Sequence, residues 1–229
     1  MTTLSASAAL RVKLDLAAPA LRAATAGLWS AGKDHLRAQY VEYLYAMYAL
    51  IRTSVPLLEA GARRCSALSG SDPVAAPLGR FLAEHARGER GHDEWLLEDL
   101  AAAGADPSAA ARRLPFPVVA DLAGAQYYWI EHHHPVALLG YVRVLEGNAP
   151  SPWLAGRLAA LTGLPTPAFR TLREHAELDS GHTAEVDDLL DRLPLTQAHQ
   201  TVIGVSALRT TAGLTRLFSQ LTTVSGGPA

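Results

Sequence analysis

Cysteine is all but missing from this chain of 229 residues: Cys65 is the only one. That excludes a disulfide framework and a thiolate-rich metal site. Charge is sparse as well. Charged residues make up 18% of the chain and the net charge is −2, with no basic run, so nucleic acid is not an expected partner. No uncharged stretch approaches the roughly 20 residues that a membrane span needs, so no membrane association is expected either. Arg11, Lys13 and Asp15 interrupt what would have to be the apolar core of a signal peptide. The period-two alternation of strands is scarce. What is left is a chain with 49% apolar residues, enough for a real core, and the expectation is a soluble cytoplasmic protein.

Helix formers dominate. The pattern predicts a first long helix from about Lys33 to Cys65, bent or interrupted at Pro56. Asp72 and Pro73 then read as N-cap and first helical residue of a helix reaching Ala103. Further helices are predicted over Val118–Glu146 (kinked at Pro135), Trp153–Leu161, Pro167–Leu193 and Thr196–Thr223. Residues 1–30 read as an N-terminal extension or helix, and 224–229 as a flexible tail. With no long linker in sight, the expectation is one all-α domain, 1–229, of about seven helices.

Two eight-residue segments stand out. "HARGERGH" occupies residues 85–92 and "HAELDSGH" residues 175–182, and both satisfy H-x3-[DE]-x2-H. At this composition roughly 0.03 copies are expected by chance. On a helix, positions i, i+4 and i+7 fall within one sector of about 40°. Each segment would thus present imidazole, carboxylate and imidazole along one stripe: His85, Glu89 and His92 in the first, His175, Asp179 and His182 in the second. Imidazole with carboxylate suits iron, manganese or zinc. Helical-bundle di-iron proteins use inward glutamates and Glu-x-x-His pairs of this spacing. Gly91 and Gly181 precede the final histidines and are read as letting a helix or ligand approach closely.

A pair of metal ions needs further carboxylates. Glu146, near the end of "YVRVLEG", is the leading candidate, and Glu59 and Glu42 compete for the place on the first helix. His85 reads as ligand, supporting group or exposed residue, and Glu59 reads equally as a surface acid paired with Arg63. The run "EHHHP" (131–135) is read first as capping of kinked backbone, with His132 or His134 as supporting or substrate-contacting groups in the alternative. The tyrosines of the first helix and "QYYW" (126–129) read as core, with one of them free to line a pocket, and Cys65 as a buried small residue.

The segments "EHARGERGHDEWLLEDL", "GAQYYWIEHHHPVALLGYVRVLEG" and "LREHAELDSGH" resemble the iron-containing redox enzymes of the haem-oxygenase-like di-iron oxidase superfamily, over residues 35–220. The resemblance implies a haem-oxygenase-like (TenA-like) bundle binding two irons and using O2, with manganese or zinc as substitutes. Members include a fatty-acid decarboxylase, N-oxygenases and amino-acid-cleaving oxidases. By position it implies a ligand set of Glu59, His85, Glu89, His92, Glu146, His175, Asp179 and His182. Some members have a carboxylate where this chain has His85. The implied activity is oxidation or oxygenation of a small amino-acid- or fatty-acid-like metabolite. Electrons would come from an external donor, since no flavin or nicotinamide fingerprint is present, and a homodimer is expected. Rival readings are a metal-free TenA-like hydrolase, a PqqC-like cofactorless oxidase and a non-catalytic metal binder. A haem oxygenase using His35 would leave the paired motifs unexplained.

Overall fold

The structure, a computed structural model, describes residues 4–224, apart from the side chains of Asp34, Asp179, Ser180 and Val224. The tail expected beyond Val224 lies outside the described residues. Regular structure among the described residues is helical throughout. In chain order the helices are α1 (Ala6–Leu28), α2 (Lys33–Ile51), α3 (Ser54–Leu68), α4 (Ala75–Gly88), α5 (His92–Ala102), α6 (Pro107–Arg112), α7 (Pro117–His132), α8 (Leu138–Glu146), α9 (Leu154–Thr162), α10 (Arg170–Arg192) and α11 (Gln197–Val224). Short 3-10 turns at Pro135–Ala137 and Thr166–Phe169 lead into α8 and α10. Among the described residues no helix is long and apolar enough to cross a membrane.

The expected long helices are divided where the chain has to turn. The first breaks at Arg52 and Thr53, which puts Pro56 in the first turn of α3, where its missing N–H costs no helical bond. The second breaks inside HARGERGH. Gly91 adopts φ +88°, a left-handed conformation open mainly to glycine, so α4 ends and α5 starts afresh at His92. The third breaks at His133–His134, ahead of Pro135.

α1 lies along α11, α3 packs against α4 as a helical hairpin, α2 packs on α5, and α8 is wedged against α10 and α11. A continuous apolar core runs through the helices, with Leu28, Leu36, Leu44, Leu78, Leu82, Leu96, Leu100 and Ile130 fully buried. The α8–α11 approach is close enough to demand glycine. A Cβ on Gly140 would sit 2.2 Å from the Ile203 carbonyl oxygen. Tyr40 anchors α2 to the start of α10 by donating to the Ala168 carbonyl at 2.7 Å and stacking on Phe169. Tyr40, Tyr43 and Tyr48 are core, as the sequence suggested. In QYYW, however, Gln126 is buried while Tyr127 and Tyr128 face outward.

Candidate metal centre

The two repeated motifs meet. α4, the turn after it and the first residue of α5 bring His85, Glu89 and His92 to one side of a small space, α10 brings His175 and His182 to the other, and the last residue of α8, Glu146, closes it. His85 Nε2 lies 3.3 Å from Glu146 Oε1, and His182 Nδ1 lies 3.0 Å from Glu146 Oε2. His92 Nδ1 lies 3.4 Å from Glu89 Oε1. The rings pair across the helices at right angles, His85 with His182 and His92 with His175, each with centroids 5.1 Å apart. Donor atoms of His85, Glu89 and Glu146 all fall within 4.8 Å of one another. Two carboxylates therefore lie between two pairs of imidazoles. The single-stripe expectation for residues 85–92 does not hold, because the Gly91 turn intervenes. The turn itself aims His92 back toward Glu89.

Other expectations need correction. Glu59 is not brought to the cluster. It accepts from Arg90 of the α4–α5 turn at 2.5 Å, and its side chain is 37% exposed. Its rival Glu42 is held by both terminal nitrogens of Arg113, at 3.0 and 2.7 Å. In both cases a guanidinium reaches the acid where water still screens it. The side chain of Asp179 lies outside the described residues, although its place in α10 is one turn after His175. Nothing approaches the Cβ position of Gly91 or Gly181, so neither glycine serves close packing; Gly91 serves the turn.

The chemistry of the donors fits metal ions. The Glu89 and Glu146 side chains are each only 10% exposed, and among the described residues neither has a lysine or arginine partner. Buried carboxylates without a full countercharge are costly, and bound cations would offset that cost. His92 Nδ1 is buried without a hydrogen bond. Burial alone would raise the Glu146 carboxyl, yet hydrogen bonds from His182 and His85 hold it down to about 2. Burial likewise keeps the His175 imidazole below its usual range, against a backbone hydrogen bond that favours its charge.

A surrounding layer orients this set. His175 Nδ1 is 3.0 Å from the Thr171 carbonyl, which can only accept, so Nδ1 carries the proton and Nε2 keeps its lone pair. Thr171 is in turn fixed by Asp99 of α5, whose carboxylate accepts from the backbone N–H of Arg170 at 2.9 Å and of Thr171 at 3.0 Å. The Asp99 carboxyl is raised by burial. A mainly apolar cavity of about 120 Å³ borders His85, Glu89, Glu146 and His175. The buried Tyr141 residue lines it with only the Thr53 side chain near its hydroxyl as a weak partner, and burial pushes that hydroxyl well above its ordinary range. Sequence reading missed Asp99 and Tyr141. The i+7 spacing from His92 to Asp99 was a usable signal for the first, and nothing marked the second.

A second cluster, Asp72, His134 and His199, has a different character. His134 Nδ1 accepts the Val136 N–H at 3.0 Å, so Nε2 carries the proton and donates to Asp72 Oδ2 at 2.7 Å. With both nitrogens engaged, His134 ties the α3–α4 connection to the broken backbone ahead of α8. The capping role read from EHHHP thus holds for His134, while His132 lies against Tyr128 at the surface, ring centroids 5.0 Å apart. Cys65 is buried against α4, and burial pushes its thiol up to about 12, which leaves no thiolate for nucleophilic work. His35 is exposed and does not line the cavity at the donors.

Fold and site together define an all-α protein of haem-oxygenase type with a buried carboxylate–imidazole centre. A solved structure from Shewanella denitrificans, described as a domain of unknown function with a haem-oxygenase-like fold, superposes with a TM-score of 0.74 at 17% identity, covering 92% of this chain and 91% of the other. A TenA homologue from Pseudomonas syringae pv. tomato gives 0.70 at 14% identity, covering 96% and 93%. No curated protein matches the sequence. The family model of iron-containing redox enzymes matches residues 41–213, and the chain belongs to that family.

Proposed function

We propose that the protein is an O2-dependent non-haem di-iron oxidoreductase acting on a small metabolite. The observation that carries this reading is the pair of buried carboxylates, Glu89 and Glu146, flanked by four imidazoles and, among the described residues, paired with no lysine or arginine. In this reading His85, Glu89, His92, Glu146, His175 and His182 hold two irons, with Asp179 added by its spacing in α10. Bound iron supplies the redox chemistry by which O2 oxidises a C–H, C–C or N–H bond. The apolar cavity excludes bulk water and positions the substrate, the Thr171 carbonyl fixes the His175 tautomer, and the protonated Tyr141 hydroxyl donates a hydrogen bond to whatever occupies the cavity. Reducing equivalents come from an external donor, and a homodimer is part of the same reading.

The test is anaerobic loading with ferrous iron followed by exposure to O2. About two irons per chain and rapid O2 consumption are expected. Fewer than about two irons, or loaded protein that consumes no O2 with candidate amino acids and fatty acids, would overturn the proposal. Metal bound without O2 uptake is the outcome expected of a non-catalytic metal binder.

A further inference from the structure

Beyond the small cavity at the donor cluster lies a much larger one, of about 840 Å³, between α1, α9, α11 and the α8–α9 connection. The two share Tyr43, Asn148, Pro150, Leu172 and Phe218 as a common wall. Their chemistry differs. The inner cavity is mainly apolar apart from the donors. The outer one is lined by four arginines, Arg11, Arg22, Arg143 and Arg157, against a single acid, Asp15. Asp187 accepts from Arg143 at 2.6 and 3.2 Å and from Arg11 at 3.1 Å, so one carboxylate serves two guanidiniums. Arg157 lies over the Trp153 ring, 5.7 Å from its centroid. Among the described residues Arg22 takes part in no ion pair or hydrogen bond, and Arg157 in no ion pair. The chain as a whole is net negative, so this excess of positive charge is local.

Guanidinium groups recognise carboxylate and phosphate through paired N–H donors. We infer that the outer cavity is an anion-binding vestibule and that the substrate is an acid on an apolar stem. Arg157 and Arg22 hold the carboxylate or phosphate. The stem passes Tyr43 and Phe218 into the inner cavity, so the end presented to Glu89 and Glu146 is the apolar one. This orientation rests on the function proposed above; the anion site itself does not.

The experiment uses metal-free full-length protein and four probes with the same stem: octanoate, octyl phosphate, octanol and octylamine. Binding is read by calorimetry, and iron uptake is measured separately. At least one of the two acids is expected to bind about tenfold or more tighter than octanol, with octylamine weakest, and which acid wins identifies the headgroup. The double variant Arg22→Gln/Arg157→Gln is expected to lose that advantage while binding octanol and iron as before. Equal binding of acids and octanol, no binding of any probe, or acid binding unchanged in the double variant would overturn the inference. Because no iron is present in the titration, failure of the di-iron reading would appear only in the separate iron measurement.

Discussion

The Nδ1–H of His175 points at the carbonyl oxygen of Thr171, one turn back along α10 at 3.0 Å. That bond leaves Nε2 as the donor nitrogen, and it is as good as the position of Thr171. Asp99 sets that position, with no exposure of its own and two backbone N–H groups in its grip. Asp99→Ala should leave those groups without an acceptor, at about 1–3 kcal/mol each, and should weaken iron binding by about tenfold or more. Asp99→Asn, which keeps one acceptor, should fall between. Thermal melts and iron titration measure both. Iron affinity equal to wild type in Asp99→Ala would separate Asp99 from the centre.

Glu89 is buried with His92 3.4 Å from its carboxylate and with His85 and Glu146 donor atoms within 4.8 Å. Glu89→Gln removes a charge that the metal-free fold has to bury. The variant should therefore melt no lower than wild type without metal, and higher if anything, while its iron content drops to one per chain or less. A metal-free melting temperature well below wild type would mean that Glu89 is a structural acid.

Tyr141→Phe deletes a buried hydroxyl whose hydrogen bonding is at best a weak contact with the Thr53 side chain. Stability should be unchanged or rise by up to about 1 kcal/mol. Iron content should hold, and substrate-coupled O2 consumption should fall. Unchanged coupling would limit Tyr141 to lining the cavity.

Two glycines give opposite expectations. Gly140→Ala drives a methyl to within 2.2 Å of the Ile203 carbonyl oxygen and should destabilise by about 3 kcal/mol or more, since backbone rather than a pliable side chain must yield. Gly181→Ala meets nothing within 4 Å in an exposed stretch of α10, and should stabilise by about 0.5–1 kcal/mol. Chemical denaturation of the metal-free proteins compares them. The same sign in both would contradict the packing described here.

Acid should weaken the metal-free fold in two stages. Burial holds the His134 imidazole below its ordinary value of 6.5, so below that pH the unfolded chain binds the proton more readily than the folded one, and stability falls with pH. Glu146 is held down to about 2, so its contribution is lost as pH drops from the ordinary 4.5 toward 2. Melting temperature should therefore decline between about pH 7 and pH 5, and again below about pH 4.5. A flat or rising profile across the first window would contradict the buried neutral His134.

What the sequence determined by itself is local in origin. Helix formers without strand alternation dictate an all-α chain, and the HARGERGH and HAELDSGH repeats, with Glu146, name His85, Glu89, His92, His175, His182 and Glu146, which the fold brings together. Those residues were legible because the H-x3-[DE]-x2-H spacing occurs twice where roughly 0.03 copies are expected by chance. Only the tertiary structure decided against Glu59 and Glu42: Arg90 and Arg113 approach from elements distant in sequence and claim them away from the centre. It also decided that the first motif folds as helix, left-handed turn and helix rather than one stripe, because Gly91 permits a positive φ without requiring it. The Asp99 support, the Tyr141 hydroxyl and the arginine-lined vestibule likewise exist only once α1, α5, α8, α9 and α10 converge, since each depends on distances between residues that no sequence spacing records.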